Sequence, residues 1–140
     1  MNQDRKTQNL QLFLRVYGTL TLLIFGTLSI AFLFKIPNFN PGGNLNWMIW
    51  DDIFGHVAPM LFAIYLVWGV FFFIAAKEPA KHTSFLNFTM WANLLHGLLM
   101  IPMALNEAMH QSKFLTDIPF ILVVPIAICA WRPPALQATK

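Results

Sequence analysis

Four long apolar runs, separated by short polar segments, constrain the fold of this chain more than any other feature of its sequence. A helix needs about 20 mostly apolar residues to cross a bilayer, because the hydrocarbon core is about 30 Å thick and each residue adds about 1.5 Å. Three runs reach that length, and the fourth is near its lower limit. We therefore predict an all-α membrane protein, a single bundle of four transmembrane helices. The runs cover residues 10–34, 53–76, 85–105 and 118–131.

Composition agrees with a membrane location and excludes several other classes. The 140 residues, enough for one domain over 1–140, are 57% hydrophobic and only 11% charged, whereas a soluble globular domain carries about 25% charge. The basic isoelectric point, near 9.3, does not indicate a nucleic-acid partner, because the basic residues flank the runs instead of forming one patch. We expect the lipid bilayer to be the main partner. The one cysteine, Cys129, excludes an intrachain disulfide.

The first run resembles a secretory signal peptide only superficially. Arg5 and Lys6 precede it, as basic residues precede the apolar region of a signal. That region is about 7–15 residues long in a signal peptide, whereas this run has about 25. We therefore expect a retained helix. Gly18 and Gly26, eight residues apart, predict a packing face on it.

The distribution of basic residues predicts the orientation of the four helices. If successive helices alternate in direction, one side of the membrane carries seven basic residues and the other carries two, Lys35 and Lys113. Short cytoplasmic segments collect Lys and Arg, so both termini are predicted to be cytoplasmic, with the loop at 38–46 outside. We expect a bacterial inner membrane as the host. The side with seven carries Arg5, Lys6, Arg15, Lys77, Lys81, Arg132 and Lys140.

A series of polar and sulfur-containing residues runs along the third helix at spacings of three or four. Such spacing places residues on one helical face. His96 lies about 18 Å from the inner end of its run, where an ionisable side chain is costly and usually faces the bundle interior. We therefore predict one interior stripe. It comprises Asn93, His96, Met100, Met103, Glu107 and His110.

The second run begins with a smaller group of polar residues. Asp52 and His56 are four residues apart, and Met60 follows one turn later. On a helix, Asp52 could orient the His56 ring and fix its tautomer. His56 would lie near the outer boundary, about 10 Å shallower than His96.

Two interpretations of these residues involve no metal. In the first, Asn93 and His96 hydrogen-bond to other helices and fix packing, at about 0.6 kcal/mol for each bond. In the second, a cavity open to the outside binds a small molecule or a lipid. Asn93, His96 and Glu107 would anchor the ligand, and Asp52 and His56 would line the same vestibule. A proton relay through His96 and Glu107 is a further variant.

A third interpretation is a haem or copper carrier. His56 and His96 could be axial haem ligands, and histidine with the thioethers of Met100 and Met103 suits Cu(I). The difference in depth argues against one haem between the two histidines. We therefore expect no cofactor, with haem or copper as the alternatives.

The sequence also favours some functional classes over others. It contains no serine-centred elbow, HExxH, phosphate loop or CxxC motif, so nothing favours an enzyme. Short loops and an aromatic-rich surface favour an accessory or structural subunit of a larger membrane complex, or a homo-oligomer. The ligand-binding bundle and the cofactor carrier are the alternatives.

Segments of the second and third helices resemble a family of small, uncharacterised bacterial membrane proteins. The resemblance is carried by residues 64–72, 75–79, 84–91 and 96–97. Its most specific part is Phe88-Thr89-Met90-Trp91 followed by His96, a Phe-Thr-x-Trp segment with a histidine five residues after its Trp. Ala92-Asn93 departs from the small or serine residues typical of the family, so the role of Asn93 is particular to this chain. The resemblance implies a four-helix fold and a helix-three histidine worth testing, but no activity.

Overall fold

The computed structural model describes residues 3–40, 42–50 and 55–132, and within these ranges it contains helices and no strand. Together with their flanking turns, the four α-helices are long and apolar enough to cross a membrane. This confirms the prediction of an all-α chain with four such helices and indicates a multi-pass membrane protein. The helices are α1 (Gln3–Leu33), α2 (Val57–Lys77), α3 (Thr83–Asn106) and α4 (Asp117–Trp131).

Short 3-10 helices connect or flank these elements. Pro37–Phe39 and Asn46–Met48 lie between α1 and α2, and Pro79–His82 leads into α3. Ala108–Phe114 joins α3 to α4. This last segment matters for span length, because α4 alone has 15 residues, whereas the apolar helical stretch from His110 to Trp131 has 22.

The helix ends differ from the apolar runs by more than two residues at two places. α1 begins at Gln3, so its polar first turns continue the helix to 31 residues, about 46 Å. α2 begins at Val57, and His56 lies just before it and not within it. Hydropathy marks the part of a helix that suits lipid, whereas backbone hydrogen bonding decides where the helix starts.

The chain divides into two compact units. The α1–α2 unit is Val16–Phe73, and the α3–α4 unit comprises Met1–Arg15 with Ile74–Lys140. The first turns of α1 and the last turn of α2 therefore belong to the α3–α4 unit.

Close packing in the α1–α2 unit depends on two glycines. A Cβ atom added to Gly69 would lie 2.8 Å from Leu22 Cδ2, and one added to Gly18 would lie 3.0 Å from Phe72 Cβ. A Cβ on Gly26 would meet nothing within 4 Å. The predicted packing face of α1 is therefore correct at Gly18 and wrong at Gly26. The buried apolar cluster of this unit comprises Leu28, Ala31, Phe39, Ile49 and Phe62.

Within the α3–α4 unit, α3 and α4 form an antiparallel hairpin with a defined register. A Cβ on Gly97 would lie 2.4 Å from Leu122 Cδ2, so this glycine lies directly against α4. The Cys129 thiol donates to Met90 Sδ at 3.4 Å. Seven residues separate the two contacts along each helix, so both describe one register. The buried face of α3 is Leu86, Thr89, Asn93, Gly97, Met100 and Ala104.

Two further contacts bring three helix termini to one end of the same unit. Gln11 Nε2 donates to the Lys77 carbonyl oxygen at 3.1 Å, and the Phe13 and Trp131 ring centroids are 5.8 Å apart. The start of α1 and the ends of α2 and α4 therefore lie at one end of the unit.

Candidate functional site

The structure does not place the predicted stripe of α3 on one interior face. Asn93 and Met100 are buried, but Met103 is 53% exposed and Glu107 lies beyond the last residue of the helix. A helix turns about 100° per residue, so ten residues bring Met103 about 80° away from Asn93. The prediction of a single interior stripe is therefore wrong. Residues spaced alternately by three and four average less than one helical turn, so successive members rotate away from the buried face. His96 lies at the edge of that face and is half-buried.

The Asn93 side chain forms a hydrogen bond within its own helix. Its Nδ2 donates to the backbone carbonyl oxygen of Thr89 at 2.8 Å, and both residues are buried. The expectation that Asn93 bonds to another helix is not met by this contact. Since a buried amide needs a partner, the bond lets Asn93 face the packed side of α3.

His96 instead has an electrostatic connection to the start of α4. The Asp117 carboxylate, in the first turn of α4, lies within electrostatic range of the His96 ring. Asp117 Oδ2 also lies 3.1 Å from Lys113 Nζ, and the Lys113 side chain is 1% exposed. We call His96, Lys113 and Asp117 the Asp117 cluster. Its three ionisable side chains come from α3, from the 3-10 segment Ala108–Phe114 and from α4.

Lys113 and Asp117 were absent from the predicted site, although a signal for them exists in the sequence. They are opposite charges four residues apart, a spacing that brings side chains together on a helical turn. The predicted stripe ended at His110, so it did not reach this pair. The turn is folded into 3-10 conformation, which carries the lysine inward.

Glu107, the predicted outer anchor, pairs with a different histidine. Its Oε2 lies 3.0 Å from Nε2 of His110, whose side chain is buried while that of Glu107 is 62% exposed. The structure thus joins Glu107 to His110. A joint anchor or relay of Glu107 with His96 stays a prediction.

The predicted group at the start of α2 is only partly described. Asp52 lies outside the described residues, so its pairing with His56 stays a prediction. His56 and Met60 are exposed, and His56 precedes the first residue of α2, so its predicted position within the helix is wrong. His56 belongs to the α1–α2 unit and His96 to the α3–α4 unit, and a site shared by them also stays a prediction.

The metal site predicted from His56, His96, Met100 and Met103 stays a prediction. In the described part of the chain, no group of three or more His, Cys, Asp or Glu side chains is placed to hold a metal ion. Met100 is buried and Met103 is exposed, so these two thioethers do not share one buried site.

Comparison with known proteins places the chain in a family. No curated protein and no solved structure matches it. A model of a family of unknown function (DUF6632) matches residues 6–132, which span all four helices. The resemblance to an uncharacterised family is confirmed to that extent, since the description of the family states neither a bacterial origin nor a membrane location. The chain belongs to this family of unknown function, DUF6632.

Proposed function

We propose that this protein is an accessory subunit of a larger membrane complex and binds an apolar transmembrane helix of that complex through α3. The observation that carries the proposal is Trp91, a large amphipathic side chain exposed on the outward side of α3.

Trp91 lies within an exposed apolar strip on the side of α3 opposite Asn93. The strip follows the helix at spacings of three and four, so its members share one face. All of its members are at least half exposed. This Trp91 face comprises Phe88, Trp91, Leu95 and Leu99.

The depth of Trp91 distinguishes this face from an ordinary lipid-facing surface. It lies eight residues after Thr83, about 12 Å along α3. Tryptophan usually lies at the membrane interface, where the indole N–H meets water or headgroups. None of the hydrogen bonds among the described residues involves the Trp91 indole. In hydrocarbon an unpartnered donor is costly, and an acceptor on a neighbouring helix would remove that cost.

The proposal is tested by the size of the complex in native membranes. Membranes carrying the tagged chain are solubilised in a mild detergent, and the mass of the tagged species is measured on a native gel. We expect a species much heavier than the 16.0 kDa chain. Trp91→Phe, which keeps an aromatic ring but lacks the N–H, should weaken the complex, and Trp91→Ala should weaken it further.

A matched control is Ile126→Ala on α4, since Ile126 is 65% exposed and Trp91 is 58% exposed. This variant should keep the heavy species. Equal losses for the two alanine variants, or a wild-type species of monomer mass, would refute the proposal. A photocrosslinker at Leu95 that yields only a dimer of the chain would replace the accessory role with self-association.

The proposed orientation has both termini in the cytoplasm of a bacterial inner membrane. The Gln11–Lys77 and Phe13–Trp131 contacts support it, because they gather the basic ends of three helices at one end of the α3–α4 unit. Cytoplasmic short segments are enriched in such residues.

A second candidate function is binding of a small molecule or lipid from the outer side, with His96 as anchor. The charge of Asp117 within electrostatic range of the half-buried His96 favours it, since a few polar groups in an apolar setting can orient a ligand. Native mass spectrometry of the purified protein tests it. An adduct that His96→Leu abolishes, and that His82→Leu at the start of α3 retains, would support this function. If the purified wild-type protein carries no adduct, the protein does not retain a ligand during purification, and this function is contradicted.

A further inference from the structure

Basic side chains are concentrated at the end of the α3–α4 unit where α1 begins and α2 and α4 end. Gln11 and Lys77 are in contact, and Phe13 contacts Trp131, the last residue of α4. We call the described residues 3–11, 77–82 and 132 the basic end. Its cations are Arg5, Lys6, Lys77, Lys81 and Arg132.

The acidic residues of the basic end do not balance this charge. They are Asp4 and Glu78, and the Glu78 carboxylate lies 2.5 Å from Lys81 Nζ. Five cationic side chains against two anionic ones leave a formal excess of three positive charges. Arg5 and Lys77 are exposed, so the charge is presented at the surface.

The aromatic pair at this end indicates the depth at which the charge lies. Trp131 and Phe13 pack against one another, and tryptophan rings favour the boundary between hydrocarbon and headgroups. Arg132 follows Trp131 directly. Arg5 and Lys6 precede Gln11 by five to six residues, about 8 Å along α1 and away from the apolar part of the helix. The cations therefore lie at headgroup level.

We infer that the basic end binds the phosphate headgroups of anionic phospholipids in the adjoining leaflet, through Arg5, Lys6 and Lys77. Clusters of basic residues at the ends of membrane helices attract anionic headgroups, and charge-assisted hydrogen bonds to phosphate oxygens hold them. The inference concerns the opposite end of the α3–α4 unit from the Asp117 cluster. It does not depend on the accessory role.

The test measures lipid-dependent stabilisation of the full chain in a neutral detergent. Phosphatidylglycerol should raise the melting temperature more than phosphatidylcholine at equal concentration, and 0.5 M salt should remove most of the difference. Removing one cation should weaken the apparent affinity for phosphatidylglycerol about fivefold. Lys77→Gln should therefore show that loss. Lys35→Gln, a matched change at an exposed lysine in the other unit, should not.

Three results would overturn the inference. Equal stabilisation by the two lipids would show that headgroup charge does not contribute to binding. Equal losses in Lys77→Gln and Lys35→Gln would show that the lipid does not bind at the basic end. Inorganic phosphate that reproduces the shift at the same concentration would assign the end to a soluble anion instead of a lipid. If Lys77→Gln does not fold, Arg5→Gln in the exposed first turns of α1 provides the same comparison, with the same expected loss.

Discussion

Gly97→Ala tests whether close contact between α3 and α4 defines the hairpin. The added methyl group would lie 2.4 Å from Leu122 Cδ2 and 2.6 Å from its Cγ, where ordinary contacts begin at 3.4 Å. Either Leu122 or the helix axis must therefore move by about 1 Å. Because the Cγ atom overlaps as well as the methyl end, rotation of the leucine tip alone does not relieve the contact.

The magnitude follows from two opposing terms. Overpacking of a tight contact costs about 1–3 kcal/mol, and replacing glycine by alanine inside a helix returns about 1 kcal/mol. Gly26→Ala in α1 gains the helix propensity of alanine without the cost of overpacking, since nothing lies within 4 Å of its added Cβ. Comparing the two variants cancels the helix term. Gly97→Ala should therefore be less stable than Gly26→Ala by about 1–3 kcal/mol.

Reversible unfolding in mixed detergent micelles, followed by far-ultraviolet circular dichroism, measures this difference. Leu122→Ala in the Gly97→Ala background supplies the control. Removing the leucine branch makes room for the new methyl group, so the double variant should lose less stability than the sum of the single changes. Equal stability of Gly97→Ala and Gly26→Ala, or strict additivity with Leu122→Ala, would refute the contact.

Three other predictions concern charge, topology and cofactor. Lys113→Met should lower the free energy of unfolding by about 3 kcal/mol, the lower end for a broken buried ion pair, because the Asp117 side chain is 29% exposed. Lys35→Met, at an exposed site, should cost little, and equal costs would contradict the pairing. Asn40→Cys in a Cys129→Ser background should react with an impermeant maleimide from outside intact cells, and labelling only after lysis would reverse the orientation. Absorption spectra of the purified protein should lack a Soret band in both oxidation states; a reducible band lost in His96→Leu would establish haem.

The four helices were predictable because a single physical quantity, the length of an apolar run, decides whether a helix can cross a bilayer. The residues at which the helices begin were less predictable from hydropathy. The polar residues before 10 carry no hydropathy signal, yet they continue α1 to Gln3. The apolar run at 53–76 predicted too early a start for α2, which begins at Val57.

The candidate site was less predictable, because polarity does not say which way a helix faces. The predicted stripe followed Asn93, His96 and Met103, whereas the buried face follows small residues such as Gly97 and Ala104. Small side chains permit close approach between helices in lipid, so they indicate the packed side better than polar ones do. The burial of Lys113 depends on the turn between two helices, which helical periodicity does not describe.

The division of the chain into units has a consequence for the order in which it folds. The α3–α4 unit is discontinuous in sequence, since Val16–Phe73 interrupts it. Residues 3–15 are synthesised before the rest of this unit, but Gln11 contacts a residue 66 positions later, and Phe13 contacts the last residue of α4. These long loops must close before the contacts form, and closure over such separations is slow. The part of the unit that is synthesised earliest is therefore among the last to gain its native neighbours.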